Sequence, residues 1–406
     1  MSRSRVAAFE VAIVGGGVGG ATLAAVLAEA GLDVVVVERE PVFRDKVRGE
    51  GIHPWGYREA KRLGLDPALA AAGAVELPIW QNYTDRQADE PSYWADDPEN
   101  GLPEVTVVHP ALQEALLEHA ATHGATVIRP AKVTALTLDG TPKITVASED
   151  GERTIRARLV VGADGRTSRV RSWIGARTEE DPVHHHFAGG LIGGTTLPEG
   201  KTHAATFDGG RMFIFPQSHG QARAYVVGMA DRLAALRGAK HRTAFVDYCA
   251  RLLPDGWFER ATPAGPVAFF PNNDVWSNRL TAAGVVLIGD AAGANDPSVG
   301  QGLSLVFRDV RELRDLLLGE RDWPAAIEEF ARRRATYFAV LRAFAMWVGV
   351  LAIESGSVAD ARRARVERAR KSDPTAGGFA MIFSRGPDGL IVDDDARRRF
   401  FGDDCP

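Results

Sequence analysis

A glycine-rich turn between a short apolar strand and an amphipathic helix constrains the fold of this chain most strongly. Residues 9–14 are apolar apart from Glu10, and Gly15-Gly16-Gly17-Val18-Gly19-Gly20 follows them directly. Apolar side chains then recur at helical spacing, and residues 33–38 form a second, Val-rich strand. This pattern predicts a β–α–β unit whose parallel strands are covered by helices on both faces.

The spacing of the glycines also predicts a ligand. Gly15, Gly17 and Gly20 satisfy G-x-G-x-x-G, in which the glycines serve a tight turn, close approach of a pyrophosphate and helix–strand packing. The start of the helix offers free N–H groups to phosphates. Glu38, at the end of the second strand, is suited to ribose hydroxyls and poorly suited to a 2′-phosphate. The motif predicts a dinucleotide site without distinguishing FAD from NAD.

A second ligand motif lies far along the chain, after the apolar strand of residues 285–288. Gly289-Asp290 follows this strand, and a small-residue loop through Pro297 then enters a helix at Gly300-Gln301-Gly302. Asp290 could accept hydrogen bonds from the ribityl hydroxyls of a flavin. The helix start could face the flavin's N1/C2-carbonyl side, where negative charge collects on reduction. Together the two distant motifs point to FAD.

A third motif lies between the other two in the chain. A buried strand is predicted over residues 158–162, and Asp164-Gly165 forms a turn after it. Ser168 could cap the helix that follows. By itself this motif is compatible with a simple Asp-Gly turn. Only its combination with the other two motifs favours a role in cofactor binding.

The remaining pattern divides the chain into three parts. Alternating segments between residues 183 and 265, and an aromatic excursion at residues 78–101, predict a second, antiparallel sheet. The fold class is therefore α/β, with a Rossmann-like FAD-binding domain, an inserted antiparallel substrate domain and a C-terminal helical region. The predicted boundaries are 1–77, 102–182 and 266–322 for the FAD-binding domain, 78–101 and 183–265 for the substrate domain, and 323–406 for the helical region.

Composition excludes several other functions. The 406 residues carry a net charge of −5, which gives no electrostatic case for nucleic acid or an anionic membrane. The two cysteines provide no disulfide framework, and the consecutive His184, His185 and His186 cannot all face one metal, so no metal site is predicted. The apolar residues 343–353 are too few to span a bilayer and indicate a core helix. We expect a cytoplasmic enzyme, monomeric or homodimeric, with a small aromatic substrate.

With the three motifs in this order, the sequence resembles the class A flavoprotein aromatic hydroxylases, the p-hydroxybenzoate hydroxylase family, over roughly residues 9–349. The resemblance implies an FAD-dependent monooxygenase in which NADPH or NADH visits transiently and dioxygen reaches an aromatic or polyketide-like substrate through a flavin hydroperoxide. It also implies that Arg48 contacts the flavin region and that Asp164 bears on FAD and nicotinamide binding. His109 stands where many members have an arginine, and no thioredoxin-like C-terminal domain follows.

The predicted site residues form two sets, and no catalytic residue is assigned. Arg39 belongs to a basic cluster that is either a solvated face or a docking site for nicotinamide phosphate. His53 and His219 are candidate bases for a phenolic proton. The cofactor set is Gly15, Gly17, Val18, Gly20, Glu38, Arg39, Arg48, Asp164, Asp290, Pro297, Gly300, Gln301 and Gly302. The substrate set is Trp80, Tyr83, Phe213, Phe215, Arg223 and Tyr225.

Two other functions remain open on the same scaffold. A flavin-dependent halogenase is one, although the Trp-x-Trp-x-Ile-Pro segment of many halogenases is missing from this sequence. A prenyl-chain reductase is the other, and Arg48-Gly49-Glu50-Gly51 is loosely similar to a segment of those enzymes. A non-enzymatic flavin-binding sensor is a third alternative from a different class.

Overall fold

The computed structural model describes residues 7–237, 241–372 and 381–403. Two large sheets, two small ones and a set of helices make up this part of the chain. The strands are β1 Ala7–Val14, β2 Val34–Val37, β3 Gly51–Ile52, β4 Val75–Leu77, β5 Ile79–Thr84, β6 Gln87–Ala88, β7 Ser92–Tyr93, β8 Glu104–Thr106, β9 Thr126–Ile128, β10 Lys132–Thr137, β11 Lys143–Ser148, β12 Gly151–Gly162, β13 Thr178–Glu180, β14 His185–Gly193, β15 Lys201–Phe207, β16 Gly210–Pro216, β17 Gln221–Gly228, β18 Thr262–Asn272, β19 Val275–Ser277, β20 Thr281–Ala282, β21 Val285–Leu287 and β22 Gly293–Ala294.

The helices surround these sheets and dominate the last quarter of the chain. They are α1 Val18–Glu29, α2 Pro54–Arg62, α3 Asp66–Ala71, α4 His109–Thr122, α5 Arg169–Trp173, α6 Arg242–Ala250, α7 Gly302–Gly319, α8 Trp323–Ile353, α9 Ser357–Ser372, α10 Ile382–Arg385 and α11 Asp394–Phe401.

The first large sheet has the order β10-β11-β12-β1-β2-β9, with β21 added beside β12 and β20 beside β21. β1 pairs in parallel with both β2 and β12, and β12 pairs in parallel with β21. All four residues of β2 are buried, as expected for a parallel strand covered on both faces. The predicted β–α–β opening is confirmed, and its strands end at the same edge as β12 and β21. The three predicted motifs therefore converge on one edge.

The second large sheet has the order β18-β14-β17-β16-β15-β5-β6, with β7 also paired to β5. Most of its pairs are antiparallel, as predicted, but β5 runs parallel to β15. β5 comes from the aromatic excursion, which therefore belongs to this sheet. β18 crosses the predicted boundary at residue 265 and pairs with β14, so the second sheet extends further along the chain than the sequence suggested. The division into domains otherwise stays a prediction.

The C-terminal helices close the molecule on one side. α8 packs against α7, and its Tyr337 and Phe344 join a buried cluster with Trp55 of α2 and Phe400 of α11. α8 is long and apolar enough to cross a membrane, yet 56% of its most apolar window is buried inside the protein. That burial agrees with the core helix predicted for residues 343–353.

Candidate functional site

A large cavity lies where the parallel edge, the second sheet and the C-terminal helices meet. Its volume is about 1120 Å³, large enough for a cofactor and a small substrate together. Gly17, Val18, Gly165 and Asp290 line one part of it, which faces the first sheet. The other part is walled by aromatic side chains of the second sheet and by Phe383 of α10.

The first glycine motif lies at the entrance to α1. Gly15 has φ +103°, a conformation that favours glycine, and a Cβ at Gly20 would lie 1.9 Å from the Gly15 carbonyl oxygen. Neither residue lines the cavity, because both serve the turn and the packing of helix on strand. Gly17 and Val18 do line it, and Gly17 is the N-cap of α1 with no side-chain cap. The first N–H groups of α1 are therefore free to bind an anion.

Glu38 supports this turn instead of lining the cavity. Its Oε2 accepts a hydrogen bond from Gly16 N at 2.7 Å, and its Oε1 accepts one from Glu40 N at 2.7 Å. The side chain is buried. Its carboxylate therefore holds the backbone of the glycine loop, and the predicted contact of Glu38 with ribose hydroxyls stays a prediction.

Asp290 stands at the carboxyl end of β21, as predicted, and lines the cavity. Burial raises the pKa of Asp290, while Arg166 and Arg48 act to lower it. Among the described residues, no donor lies within hydrogen-bond distance of its carboxylate. The side chain is partly exposed to the cavity, so its carboxylate oxygens can accept hydrogen bonds from a ligand there.

The start of α7 faces the same space. A 3₁₀ turn at Pro297–Val299 leads to Gly300, which has φ +65°, and Gln301 is the N-cap of α7. A Cβ at Gly302 would meet no protein atom within 4 Å, so backbone and cavity are in direct contact there. Pro297, Gly300 and Gly302 line the cavity.

Gln301 has a structural role within this turn. It is fully buried, and its Oε1 accepts a hydrogen bond from the indole N–H of Trp55 at 2.7 Å. This bond ties α7 to α2 and explains why Gln301 does not line the cavity.

Two arginines and a histidine carry charge or polarity beside Asp290. Arg48 lies over the ring of Phe270 at 5.6 Å, and burial lowers the pKa of Arg48, with Arg166 acting in the same direction. His109 Nδ1–H donates to the Gly49 carbonyl at 2.8 Å, and burial lowers the pKa of His109. Arg48 was predicted, whereas Arg166 was not singled out. Its position directly after the Asp164-Gly165 turn was the available signal.

Asp164 and Arg39 lie outside the cavity lining. The Asp164 carboxylate accepts hydrogen bonds from Arg169 N at 2.7 Å and Val170 N at 3.2 Å, so it caps α5. Arg39 is 61% exposed and forms an ion pair with Glu40 at 3.3 Å. The Asp164 carboxylate thus holds backbone and Arg39 faces solvent, and the predicted cofactor contacts of both residues stay predictions.

The aromatic part of the cavity is built by alternate residues of neighbouring strands. Trp80 of β5 and Phe213 and Phe215 of β16 face inward with Tyr225 of β17, as the sequence predicted. The Trp80 and Phe213 rings lie 5.9 Å apart, and Trp80 stacks on Phe383 at 6.4 Å. Other lining residues that the sequence analysis missed are Asn82, Phe187, Arg211, Phe270 and Phe383.

Tyr83 lies on the opposite face of β5, so its predicted substrate contact is wrong in this structure. Residues three apart on a strand point to opposite faces. Tyr83 packs against Trp257, and its hydroxyl donates to His203 Nδ1 at 3.0 Å.

Arg223 is buried beneath the cavity wall and does not line it. Its guanidinium pairs with Asp45 Oδ2 at 2.6 Å and with Glu50 Oε1 at 3.1 Å. The Tyr225 hydroxyl donates to the other oxygen of Glu50. Burial raises the pKa of both Glu50 and Tyr225. This network fixes the orientation of the Tyr225 ring, and Arg223 is a supporting residue.

His53 lines the cavity, and of its two ring nitrogens only Nε2 has a hydrogen-bond partner among the described residues. Nε2–H donates to the Val299 carbonyl at 2.9 Å, and Nδ1 lies 3.0 Å from Glu104 Oε1. His53 therefore ties the turn before α7 to β8. The other candidate base, His219, has a side chain outside the described part of the structure.

Comparisons with known proteins agree with this geometry. The family model described as FAD binding domain matches residues 8–320. A ubiquinone hydroxylase of Rhodospirillum rubrum is 28% identical over 90% of this chain and 87% of its own length. A digeranylgeranylglycerophospholipid reductase of Methanosarcina acetivorans is 28% identical over 73% of this chain and 71% of its own.

The fold also matches solved structures. A p-nitrophenol 4-monooxygenase of Pseudomonas putida superposes with a TM-score of 0.77 at 20% identity, covering 98% of both chains. The likeness therefore extends over the glycine turn, the second sheet and the C-terminal helices.

Proposed function

The chain belongs to the FAD binding domain family and is an FAD-dependent oxidoreductase, and from this premise we propose that it is a monooxygenase. Its reaction uses NADPH or NADH and dioxygen to hydroxylate an aromatic or polyketide-like small molecule. The observation that carries the proposal is the continuity of one cavity, in which the Asp290 end opens directly into an aromatic chamber.

The residues present fit FAD. The free N–H groups at the start of α1 suit a pyrophosphate, and Asp290 suits the hydroxyls of the ribityl chain. Gly300 and Gly302 admit a flat ring beside the positive end of α7, where negative charge on the reduced ring is stabilised. When bound, FAD supplies the hydride acceptance and the dioxygen activation that amino-acid side chains lack.

The protein contributes orientation and exclusion of water. Trp80, Phe213, Phe215 and Phe383 form an apolar wall that positions a planar substrate and keeps bulk water from the reacting atoms. Tyr225 is held by Glu50, so its ring is fixed while its hydroxyl remains protonated, because burial raises its pKa. Arg48 supplies positive charge near Asp290.

The proposal is tested with the purified, FAD-loaded protein and a panel of aromatic natural-product intermediates. We expect a substrate to accelerate NAD(P)H oxidation and to gain one oxygen atom from isotopically labelled dioxygen, detected by mass spectrometry. Failure of every aromatic compound to stimulate NAD(P)H oxidation, or product oxygen that comes from water, would contradict the proposal.

A prenyl-chain reductase is a second candidate, favoured by the similarity to the archaeal reductase. Reduction of an alkene under anaerobic conditions would identify it, whereas a monooxygenase gives no product without dioxygen. A halogenase would require halide for product formation, so omission of chloride and bromide separates that reaction as well. A cytoplasmic location and a monomeric or homodimeric state are also part of the proposal.

A further inference from the structure

Two charged residues of the C-terminal helices hold the turn that carries Asp290. Asp309 of α7 accepts a hydrogen bond from Gly289 N at 2.8 Å. Arg334 of α8 donates through Nη2 to the Gly293 carbonyl at 3.0 Å, and the same nitrogen lies 3.4 Å from the Gly289 carbonyl. The pair therefore contacts the backbone at both ends of the turn, residues 289–293.

The pair is itself held in one orientation. Arg334 Nε donates to Asp309 Oδ2 at 2.9 Å, and the Tyr337 hydroxyl donates to Asp309 Oδ1 at 2.6 Å. Burial, with the charge of Asp309 nearby, raises the pKa of Tyr337 well above its ordinary value, so this hydroxyl remains a donor. Asp309 is fully buried, and Arg334 is 2% exposed. The position of the turn is thus set by two long helices.

These contacts leave the side chain of Asp290 available to a ligand. All of them go to backbone atoms of the turn, while the Asp290 carboxylate lines the cavity and the pair behind it does not. The guanidinium of Arg334 nevertheless acts on Asp290 through its charge. Burial raises the pKa of Asp290, and Arg334 acts to lower it, together with Arg166, Arg48 and His109.

Stability alone does not account for a buried ion pair at this place. The cost of removing two charges from water roughly offsets the attraction between them, and well-packed apolar residues are often as stable or more stable. An apolar pair could supply neither an acceptor for Gly289 N nor donors for the two carbonyls. The pair therefore matches the backbone of the turn, and it fixes the direction of the Asp290 side chain before a ligand binds.

We propose that Asp309 and Arg334 are positioning residues for the cofactor. They hold the 289–293 turn in the conformation in which Asp290 accepts hydrogen bonds from the ribityl hydroxyls of FAD. The inference rests on the proposed function, since it requires FAD to lie beside Asp290. Neither positioning residue contacts the cofactor, so their effect on FAD binding passes through Asp290.

The test is a mutant cycle on FAD affinity, measured by fluorescence titration of the full-length protein. Arg334→Met alone would leave the Asp309 carboxylate buried without its counter-ion, so the test variant is the neutral double substitution of Asp309→Asn with Arg334→Met. The asparagine can still accept from Gly289 N. We expect the double variant to bind FAD about fivefold or more weakly, and Asp290→Ala to bind it about tenfold or more weakly. When the double substitution is added to Asp290→Ala, the further loss should be less than about twofold.

This coupling separates positioning from a general loosening of the fold. A structural role would weaken FAD binding by the same factor with and without the Asp290 carboxylate, and that result would overturn the inference. Unchanged FAD affinity of the double variant would overturn it as well. The thermal midpoint of the FAD-free double variant should stay close to that of the original protein, because no buried charge is left unpaired. A large fall in that midpoint would show that the pair holds the fold and would overturn the positioning role.

Arg333→Met is the matched control. Arg333 also joins α8 to α7, through Glu312 at 3.1 Å, and it forms no hydrogen bond with residues 289–293, all of which the structure describes. Its FAD affinity should equal that of the original protein, and a loss as large as that of the double variant would overturn the inference.

The single variant Asp290→Ala separates this inference from the placement of the flavin. Normal FAD affinity of Asp290→Ala would contradict both, because the cofactor would then not depend on this carboxylate. Weakened binding by Asp290→Ala, with an equal further loss from the double substitution, would overturn the inference alone. Absence of substrate-stimulated NAD(P)H oxidation would contradict the monooxygenase proposal and leave the result of the cycle intact.

Discussion

Gly302 and Gly20 both stand in helix starts near the cavity, but glycine is needed at each for a different reason. A Cβ at Gly20 would collide with the Gly15 backbone, whereas a Cβ at Gly302 would enter open cavity space. Substitution at Gly302 therefore probes the ligand, and substitution at Gly20 probes the fold.

We predict that Gly302→Val weakens FAD binding about tenfold or more, since the added methyl groups occupy the space of a ring without disturbing the protein. The thermal midpoint of the FAD-free protein should be unchanged. Gly319→Val is the control, because Gly319 is at the other end of α7 and a Cβ there also meets no protein atom. Fluorescence titration with FAD measures both. Equal FAD affinity of the two variants would refute the placement of the cofactor beside α7.

Asp274 provides a prediction about pH. Burial, with Asp296 nearby, raises the pKa of Asp274 from 3.8 to about 7, and Asp181 and His185 also lie near this pair. Between pH 3.8 and about 7, Asp274 is therefore protonated in the folded protein and ionised in the unfolded chain. The contribution of Asp274 to stability accordingly falls as the pH rises through this window.

We expect Asp274→Asn to be more stable than the original protein at pH 8, because the amide resembles the protonated acid. Its Oδ1 can still accept from Asn295 and from Asp296 N. The gain in unfolding free energy should be larger at pH 8 than at pH 5 by about 2–3 kcal/mol, measured by urea denaturation. Asp139→Asn, at an exposed aspartate, should show no such difference. A gain independent of pH would refute the raised pKa.

Individual residues show which parts of the site can be predicted from the sequence. Gly17, Gly302 and Asp290 were found because their positions between strand and helix dictate what they face. Glu38 and Asp164 were placed correctly in their turns, yet both bind backbone N–H groups in the structure. A carboxylate at a turn can serve the backbone or a ligand, and the sequence pattern is the same for both.

Among the secondary-structure elements, β5 shows how the alternation of side chains along a strand determines which residues reach the cavity. Trp80 and Asn82 face the cavity, and Gln81 and Tyr83 face the opposite side. The aromatic residue types alone could not assign the faces, since one aromatic residue, Trp80 or Tyr83, lies on each side of this strand. Register within the sheet, which is a long-range property, makes the assignment.

This alternation gives a paired prediction. Trp80→Ala should weaken binding of 2-naphthoate about tenfold, because it removes an aromatic wall of the chamber. Tyr83→Phe should leave that affinity unchanged and lower the unfolding free energy by about 1 kcal/mol, because it removes one buried hydrogen bond. In that bond His203 Nδ1 is the acceptor, since its Nε2–H donates to the Pro198 carbonyl and burial lowers the pKa of His203 to about 4. Loss of naphthoate affinity in Tyr83→Phe would contradict the assignment of faces.

Among the C-terminal elements, α10 contributes to the cavity in a way that the sequence did not predict. Phe383 forms part of the cavity wall and stacks on Trp80, although no sequence motif predicted a site residue in the C-terminal helical region. α10 has only four residues, too few for a helical repeat to be recognised. Its place is set by packing against α2 and not by local propensity.

At the scale of the whole molecule, the site depends on segments that are far apart in the chain. The glycine turn before α1, the end of β21 and the start of α7 meet because parallel strands deliver their carboxyl ends to one edge. This convergence was predictable from three ordered motifs. The exact extent of the second sheet was not, because β18 continues past the point where the alternating pattern became weak.

The same long-range arrangement explains why one cavity can hold both reactants. The second sheet supplies the aromatic wall, and we propose that the residues at the edge of the first sheet hold the cofactor. Neither sheet encloses the space alone. The position of a bound flavin relative to these two sheets is therefore the decisive observation.

The most direct measurement is a crystal structure of the protein with FAD bound. We predict that the pyrophosphate lies at the N–H groups that begin α1, with the ribityl chain at Asp290. The isoalloxazine ring should lie beside Gly300 and Gly302, facing the aromatic chamber. A flavin ring located elsewhere, or another molecule lying across these three segments, would contradict the account.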